Sequence, residues 1–323
     1  MPGYDMHYLF GIHSYRKMSD DTIVKRAVKK NPGSYKLGLL GPDIFFYYAT
    51  EVVAARKNIG SIMHTTKTDV FLKNMITYID IHKGKAKEVG IAYLCGFLSH
   101  YVVDCLCHPY VYWMTDYLHK EIRYLEKHFR FESDMDITLL SMYKNTTPYK
   151  FMKNSSFNLN EMETAVVCDM LYYAIRSTYH DSRITRSGIQ MAIYSLYKEQ
   201  RLIRIASEKA NRAFGKMSKM LGSKRYLASF IPSEKDLRFE DPLNLKHKRW
   251  HNPWDVSKSS TDSVPELLGK AERRYSLMMF LLDNYLSPDM NKTAAYKTLV
   301  AFIGCKSYHS GLNIKKEKIC LER

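Results

Sequence analysis

Residues 100–108 read His-Tyr-Val-Val-Asp-Cys-Leu-Cys-His, inside an apolar run that extends over residues 89–106. Apolar side chains recur there three and four apart, which is the period of a helix. Each four-residue step around a helix rotates a side chain by only about 40°, so His100, Asp104 and His108 form one row along one face. Imidazole nitrogen and carboxylate oxygen are good zinc ligands, and a central carboxylate with two oxygens can serve two ions. The bland alternative is a pair of core histidines with Asp104 as a buried partner. Against it, an uncompensated aspartate among Val102, Val103 and Leu106 would cost several kcal/mol. His128 and Glu132 repeat the four-residue spacing in HFRFE, one helix further on. Asp136 continues that second row, placed to orient His128 or a neighbouring ligand from the outer shell.

Outward from this stretch the helical period persists nearly throughout, and the expected fold class is all-α, a multi-helix domain. Asp20 and Asp21 open a helix that stops before Asn31-Pro32-Gly33, and Gly41-Pro42 punctuates the next segment. Further helices are expected over about residues 66–82, 86–107, 116–143, 160–177 and 183–221, with a final one from Pro265 to Leu286. Between them, residues 222–264 carry repeated prolines with Trp250 and Trp254, which reads as a long irregular loop pinned onto the core by its tryptophans. The chain is therefore expected to form one domain over 1–323, with a basic tail over 311–323 whose end, residues 314–323, is expected to fray.

The composition, 46% hydrophobic and 25% charged over 323 residues, is that of a globular chain and excludes disordered and collagenous classes. Residues 89–106 are interrupted by His100 and Asp104, and residues 275–286 are too short to cross a bilayer, so no membrane span is expected. The first residues, MPGYDMHYLFGIHSYRK, lack the features of an export signal, and the expected location is cytoplasmic, with peripheral contact to membrane. A net charge of +16 favours anionic partners: lipid headgroups, nucleic acid or phosphate esters. Six cysteines without a regular framework read as reduced.

With these residues in hand, the chain resembles the zinc-dependent phospholipase C family, whose fold is shared with zinc nucleases of the S1/P1 type. The resemblance rests on His7, on Asp43 in LGPDIFFYY, on His64 in GSIMH, on HYVVDCLCHPY and on HFRFE. The later segments LNLKHKRWHNPWD and YHSGLN are similar to those of uncharacterised bacterial members. The resemblance implies that Asp43, His64, His100 and Asp104 surround one zinc, and that His108, His128 and Glu132 hold a second. It also implies that His7 shares a third zinc with Asp104, whose remaining ligands in the family come from a mature N-terminal tryptophan. This sequence opens with Met-Pro-Gly instead, which leaves His13 or the backbone near Pro2 as substitutes.

The implied activity is hydrolysis of a phosphodiester by a metal-activated water, with Asp43 as the catalytic residue that orients or deprotonates that water. Phospholipid headgroup esters are the leading substrate class. The alternatives are a nuclease or other phosphodiesterase, and a non-catalytic, metal-stabilised helical module that binds membrane or protein. Choline-selective members place aromatics where this chain has Ile44 and Ser61, so no choline preference is expected. Phe45, Phe46, Tyr47 and Tyr48 are available as an apolar rim or as helix core. His119, His180 and His309 are expected to lie away from the cluster. No nucleophile elbow, P-loop, dinucleotide fingerprint or paired Cys-x2-Cys motif is found.

Overall fold

Helix starts in this chain are written in short polar caps. Asn160 with Glu163, and Ser263 with Glu266, each form a reciprocal capping box, while Thr22, Asn58 and Asn291 each accept a backbone N–H at the head of their helix. A computed structural model describes residues 3–47, 58–119, 124–146, 150–151, 157–180, 182–205 and 239–315. In chain order its helices are α1 (Tyr4–Lys17), α2 (Ile23–Lys30), α3 (Pro32–Gly38), α4 (Ile59–Thr65), α5 (Thr68–Ile81) and α6 (Gly84–Met114). They continue with α7 (Tyr124–Lys144), α8 (Glu161–Thr178), α9 (Arg186–Ile205), α10 (Val264–Leu286) and α11 (Lys292–Ile303). Two 3-10 turns, Gly41–Tyr47 and Tyr117–His119, complete an all-α architecture with one small hairpin.

Helix α6 is the axis of the fold. From Val89 to Tyr112 every residue except Leu106 is buried, and α1, α2, α3, α5, α8 and α10 pack around it. It is long and apolar enough to cross a membrane, but 94% of its most apolar window lies inside the protein, as in a core helix. Its closest neighbour is α3, because Gly38 and Gly96 meet there. A Cβ on Gly38 would lie 2.4 Å from the Tyr93 carbonyl oxygen, and one on Gly96 would lie 2.1 Å from that of Tyr35. This approach brings the end of α3 and the turn after it, with Asp43, against the middle of α6.

Several elements differ from expectation. Helix α1 precedes the helix expected to be first, because its sequence is buried on more than one side and shows little amphipathic period. Helix α11 follows the helix expected to be last. Within the stretch expected to be irregular, β1 (Trp250–Asn252) pairs antiparallel with β2 (Asp255–Ser260). The exposed Val-Ser-Lys-Ser run of β2 carries no alternation of apolar and polar residues by which to recognise it. Trp250 is buried edge-on against Tyr110 and donates its indole N–H to the Asp262 carbonyl at 3.1 Å. Of the end expected to fray, Ile314 and Lys315 are docked instead: Ile314 donates its N–H to the Cys305 carbonyl, and Lys315 pairs with Asp69. Residues 206–221, 222–238 and 316–323 lie outside the described residues. The five described cysteines are free thiols; Cys320 is outside the described residues.

Candidate metal centre

Five elements deliver the candidate ligands. His7 comes from α1, Asp43 from the 3-10 turn after α3, His64 from α4, the row His100, Asp104 and His108 from α6, and His128 with Glu132 from α7. All eight are buried. They fall into three groups whose donor atoms lie within 4.8 Å of one another and are able to hold a metal ion: His7, His100 and Asp104; Asp43, His64 and His100; His108, His128 and Glu132.

Asp104 is the hinge of this arrangement, since its two oxygens face different neighbours. Oδ1 lies 3.1 Å from His7 Nε2, while Oδ2 lies 3.0 Å from His100 Nε2 and 3.8 Å from His64 Nε2. Asp43 Oδ1 stands 3.2 Å from His64 Nε2 and 3.8 Å from His100 Nε2. In the third group, Glu132 Oε1 is 3.0 Å from His128 Nε2 and 3.9 Å from His108 Nε2. His7 and His100 stack with ring centroids 4.1 Å apart.

The backbone fixes which nitrogen faces inward. His64 Nδ1 meets the Gly60 carbonyl at 2.6 Å, His100 Nδ1 the Leu39 carbonyl at 3.0 Å, and His108 Nδ1 the Tyr308 carbonyl at 2.8 Å. A carbonyl only accepts, so each Nδ1 carries the proton and each Nε2 presents a lone pair to the cluster, as in histidines that bind a metal through one nitrogen and a carbonyl through the other. His128 Nδ1 lies near the Tyr124 hydroxyl at 3.3 Å and Thr115 Oγ1 at 3.5 Å.

For Asp104, His7, His108 and His128 the electrostatics favour the charge states in which they bind a metal, and His100 is the exception. Burial pushes the Asp104 carboxyl up, but His100 and His108 beside it outweigh that and hold it well below the usual carboxylate range. Burial likewise lowers His100, yet the Asp104 and Asp43 carboxylates raise it overall. His7 is lowered by burial and by the neighbouring His100, and burial holds His108 and His128 well below the ordinary imidazole range.

Zinc fits this donor set on a direct observation. Although the nitrogen–oxygen separations are short, Asp43 Oδ1, both oxygens of Asp104, both nitrogens of His7, and Nε2 of His64, His100 and His108 have no hydrogen-bond partner among the described residues. Buried polar atoms are nearly always satisfied, and so many orphans converging on one cluster of nitrogen and oxygen donors mark a cation site.

A sequence profile described as Zinc dependent phospholipase C matches residues 6–181, more than half of the chain. The chain belongs to the zinc-dependent phospholipase C family. No curated protein and no solved structure matches it. Membership and the donor groups together make it a zinc-binding protein of a hydrolase family.

Other expected residues have different places. Asp136 accepts the backbone N–H groups of Asp5 and Met6, both at 3.1 Å, so it anchors the start of α1 and positions His7 rather than His128. His13, expected as an alternative ligand of the third site, is instead 59% exposed and 3.6 Å from Glu272; Pro2 lies outside the described residues. Ile44 and Phe45 are core residues, whereas Phe46 is half-exposed and stacks on His64 with centroids 5.9 Å apart. The side chains of Tyr47 and Tyr48 lie outside the described residues. His119 is exposed and bonds Asp116, as expected of a residue with no part in the cluster.

The expectation for His309 is overturned. Its ring centroid lies 5.3 Å from that of His64 and 5.9 Å from that of His108, so it stands beside the cluster. Tyr112 and Trp254 flank it at 5.1 and 6.4 Å. Sequence distance hid this, because it is long-range packing of the chain after α11 that returns His309 to α6.

Proposed function

We propose that this protein is a phosphodiester hydrolase that cleaves phospholipid headgroup esters in the manner of a phospholipase C. The observation that carries the reading is the gathering of eight acid and imidazole donors into three groups, two of which share His100, with Asp43 on the solvent side. The Asp43 side chain is 12% exposed, while those of His64, His100 and Asp104 are fully buried.

In this reading Asp43, His64, His100 and Asp104 hold one zinc, and His108, His128 and Glu132 hold a second. His7 and Asp104 contribute to a third. Bound zinc supplies Lewis acidity, offsetting the charge on the phosphate oxygens and making water acidic enough to react near neutral pH. Asp43 orients the attacking water and accepts its proton. Asp104, fixed on α6 among four imidazoles, keeps its neighbours at the spacing the donors require. Phe46, half-exposed beside His64, offers an apolar edge for the lipid part of the substrate.

Ile44 is in the core rather than at a headgroup, so no aromatic enclosure of choline arises from that position. The net charge of +16 concentrates anionic ester near the site, an attraction screened over about 8 Å at physiological ionic strength. A nuclease is the second reading, favoured by Tyr117 and Trp254, which are partly exposed, pack on the buried Tyr112 beside His128 and suit base stacking.

The test is release of phosphomonoesters by the zinc-loaded protein from phosphatidylglycerol, phosphatidylcholine, glycerophosphodiesters and single-stranded DNA. The phospholipase reading expects headgroup release, at least as fast from phosphatidylglycerol as from phosphatidylcholine at low salt, and slower as salt rises. Cleavage of DNA alone transfers the assignment to the nuclease. Cleavage of nothing leaves a binding module and overturns the enzyme reading.

A further inference from the structure

Residues 305–314 form a tight turn whose construction exceeds what closing the chain requires. Lys306 and Asn313 form an antiparallel bridge, and Gly311 donates its N–H to the Ser307 carbonyl. Ser307 Oγ accepts the His309 N–H at 3.2 Å, and Asn252 donates its side-chain amide to the Ser310 carbonyl at 2.8 Å. Tyr308 donates its N–H to the His64 carbonyl and accepts from His108 Nδ1, so one residue braces a member of each of two metal groups.

His309 is the outward member of this turn. Its neighbours Tyr308 and Ser310 are 2% and 1% exposed, whereas His309 itself is half-buried. The ring is tilted 35° to that of His64 and stands nearly perpendicular to that of His108, over the seam between their groups. Tyr112 and Trp254 hold it on the remaining side. Among the described residues the groups compact enough to share an ion do not include His309, so the geometry does not make it a ligand. A ring kept only for packing would be expected to be buried like Tyr308.

We propose that His309 is a substrate-contacting residue whose imidazole N–H donates a hydrogen bond to an oxygen of the phosphoester lying at the seam of the two metal groups; this rests on the phosphodiesterase reading above. A neutral imidazole always carries one N–H, and a ring already fixed by Tyr112 and Trp254 loses little freedom on making the bond. His309 and Trp254 both lie beyond residue 181, where the family match ends.

The test uses inorganic phosphate as the probe and two variants of the zinc-loaded full chain. His309→Phe keeps an aromatic ring and removes the donor, while His309→Gln keeps an N–H donor. Phosphate affinity is measured by calorimetry and zinc per chain by elemental analysis. The expected result is wild-type zinc content in both variants, phosphate binding weakened about tenfold or more in His309→Phe, as for a hydrogen bond to a charged group, and most of that loss recovered in His309→Gln. If the wild type binds phosphate and His309→Phe binds it within twofold, or if either variant loses zinc, His309 is a packing or ligand residue and the inference fails while the phosphodiesterase reading stands. If the zinc-loaded wild type binds no phosphate, the phosphodiesterase reading itself fails, and the inference with it.

Discussion

His108 and Tyr308 are joined by a 2.8 Å hydrogen bond from the imidazole Nδ1 to the backbone carbonyl, although 200 residues separate them in the chain. The bond sets the tautomer of His108 and aims Nε2 at Glu132. Metal-site geometry on the central helix therefore depends on the docking of a turn near the other end of the described chain.

Gly311 makes that docking possible, and replacing it tests the dependence. Its φ is +66°, and a Cβ would lie 2.1 Å from the Cys105 carbonyl oxygen. Pro109 lacks the N–H that would otherwise bond this carbonyl in the helix. Gly311→Val is expected to destabilise the protein by about 2 kcal/mol or more, from left-handed backbone strain and the clash together. Thermal unfolding with zinc retention in the same samples checks this. A variant as stable as wild type that keeps its zinc would show that the turn does not brace the site.

Asp104→Asn probes the carboxylate shared between groups. The amide has one weak acceptor oxygen where the carboxylate turns Oδ1 to His7 and Oδ2 to His100 and His64. Zinc content is expected to fall by at least one ion per chain and activity by about 100-fold or more. Full activity in this variant would make the row on α6 structural.

Acid should loosen the clamp between α5 and the C-terminal turn. Burial pushes Asp69 up, but the Cys305 thiol at 3.0 Å, Lys315 at 3.2 Å and Lys73 at 3.3 Å hold its pKa down at about 2, against 3.8 for an ordinary aspartate. A depressed carboxylate contributes stability that is complete above the unfolded value and disappears as pH falls from about 4 through 2. Asp69→Asn is expected to unfold at lower temperature than wild type at pH 6 and to converge with it near pH 2. Parallel curves across that range would remove Asp69 from the clamp.

The row on α6 and the pair on α7 were legible because ligands four apart on a helix are a local pattern, and both sets do lie on helices; α6 itself was marked by its long apolar run rather than by one apolar face. His7, Asp43 and His64 were legible only through family resemblance, since nothing in their local spacing points to a shared site. Helix α1 was missed because burial on several sides blurs amphipathic period. His309 was assigned to the wrong place because its proximity arises from contacts across more than 200 residues, such as those of Ser307 with His64 and Cys105. Asp136 showed a ligand-orienting position in sequence, but its target, the head of α1, was visible only in three dimensions.

Zinc per chain, measured by elemental mass spectrometry on wild type, His128→Ala and His119→Ala purified in parallel, distinguishes a metal centre from a buried polar cluster. His128 sits in a buried group with His108 and Glu132, whereas His119 is exposed on Asp116. Wild type and His119→Ala are expected to carry at least two zincs, and His128→Ala about one fewer. A folded wild type that retains less than one zinc, or a His128→Ala protein with undiminished zinc, would contradict the metal centre.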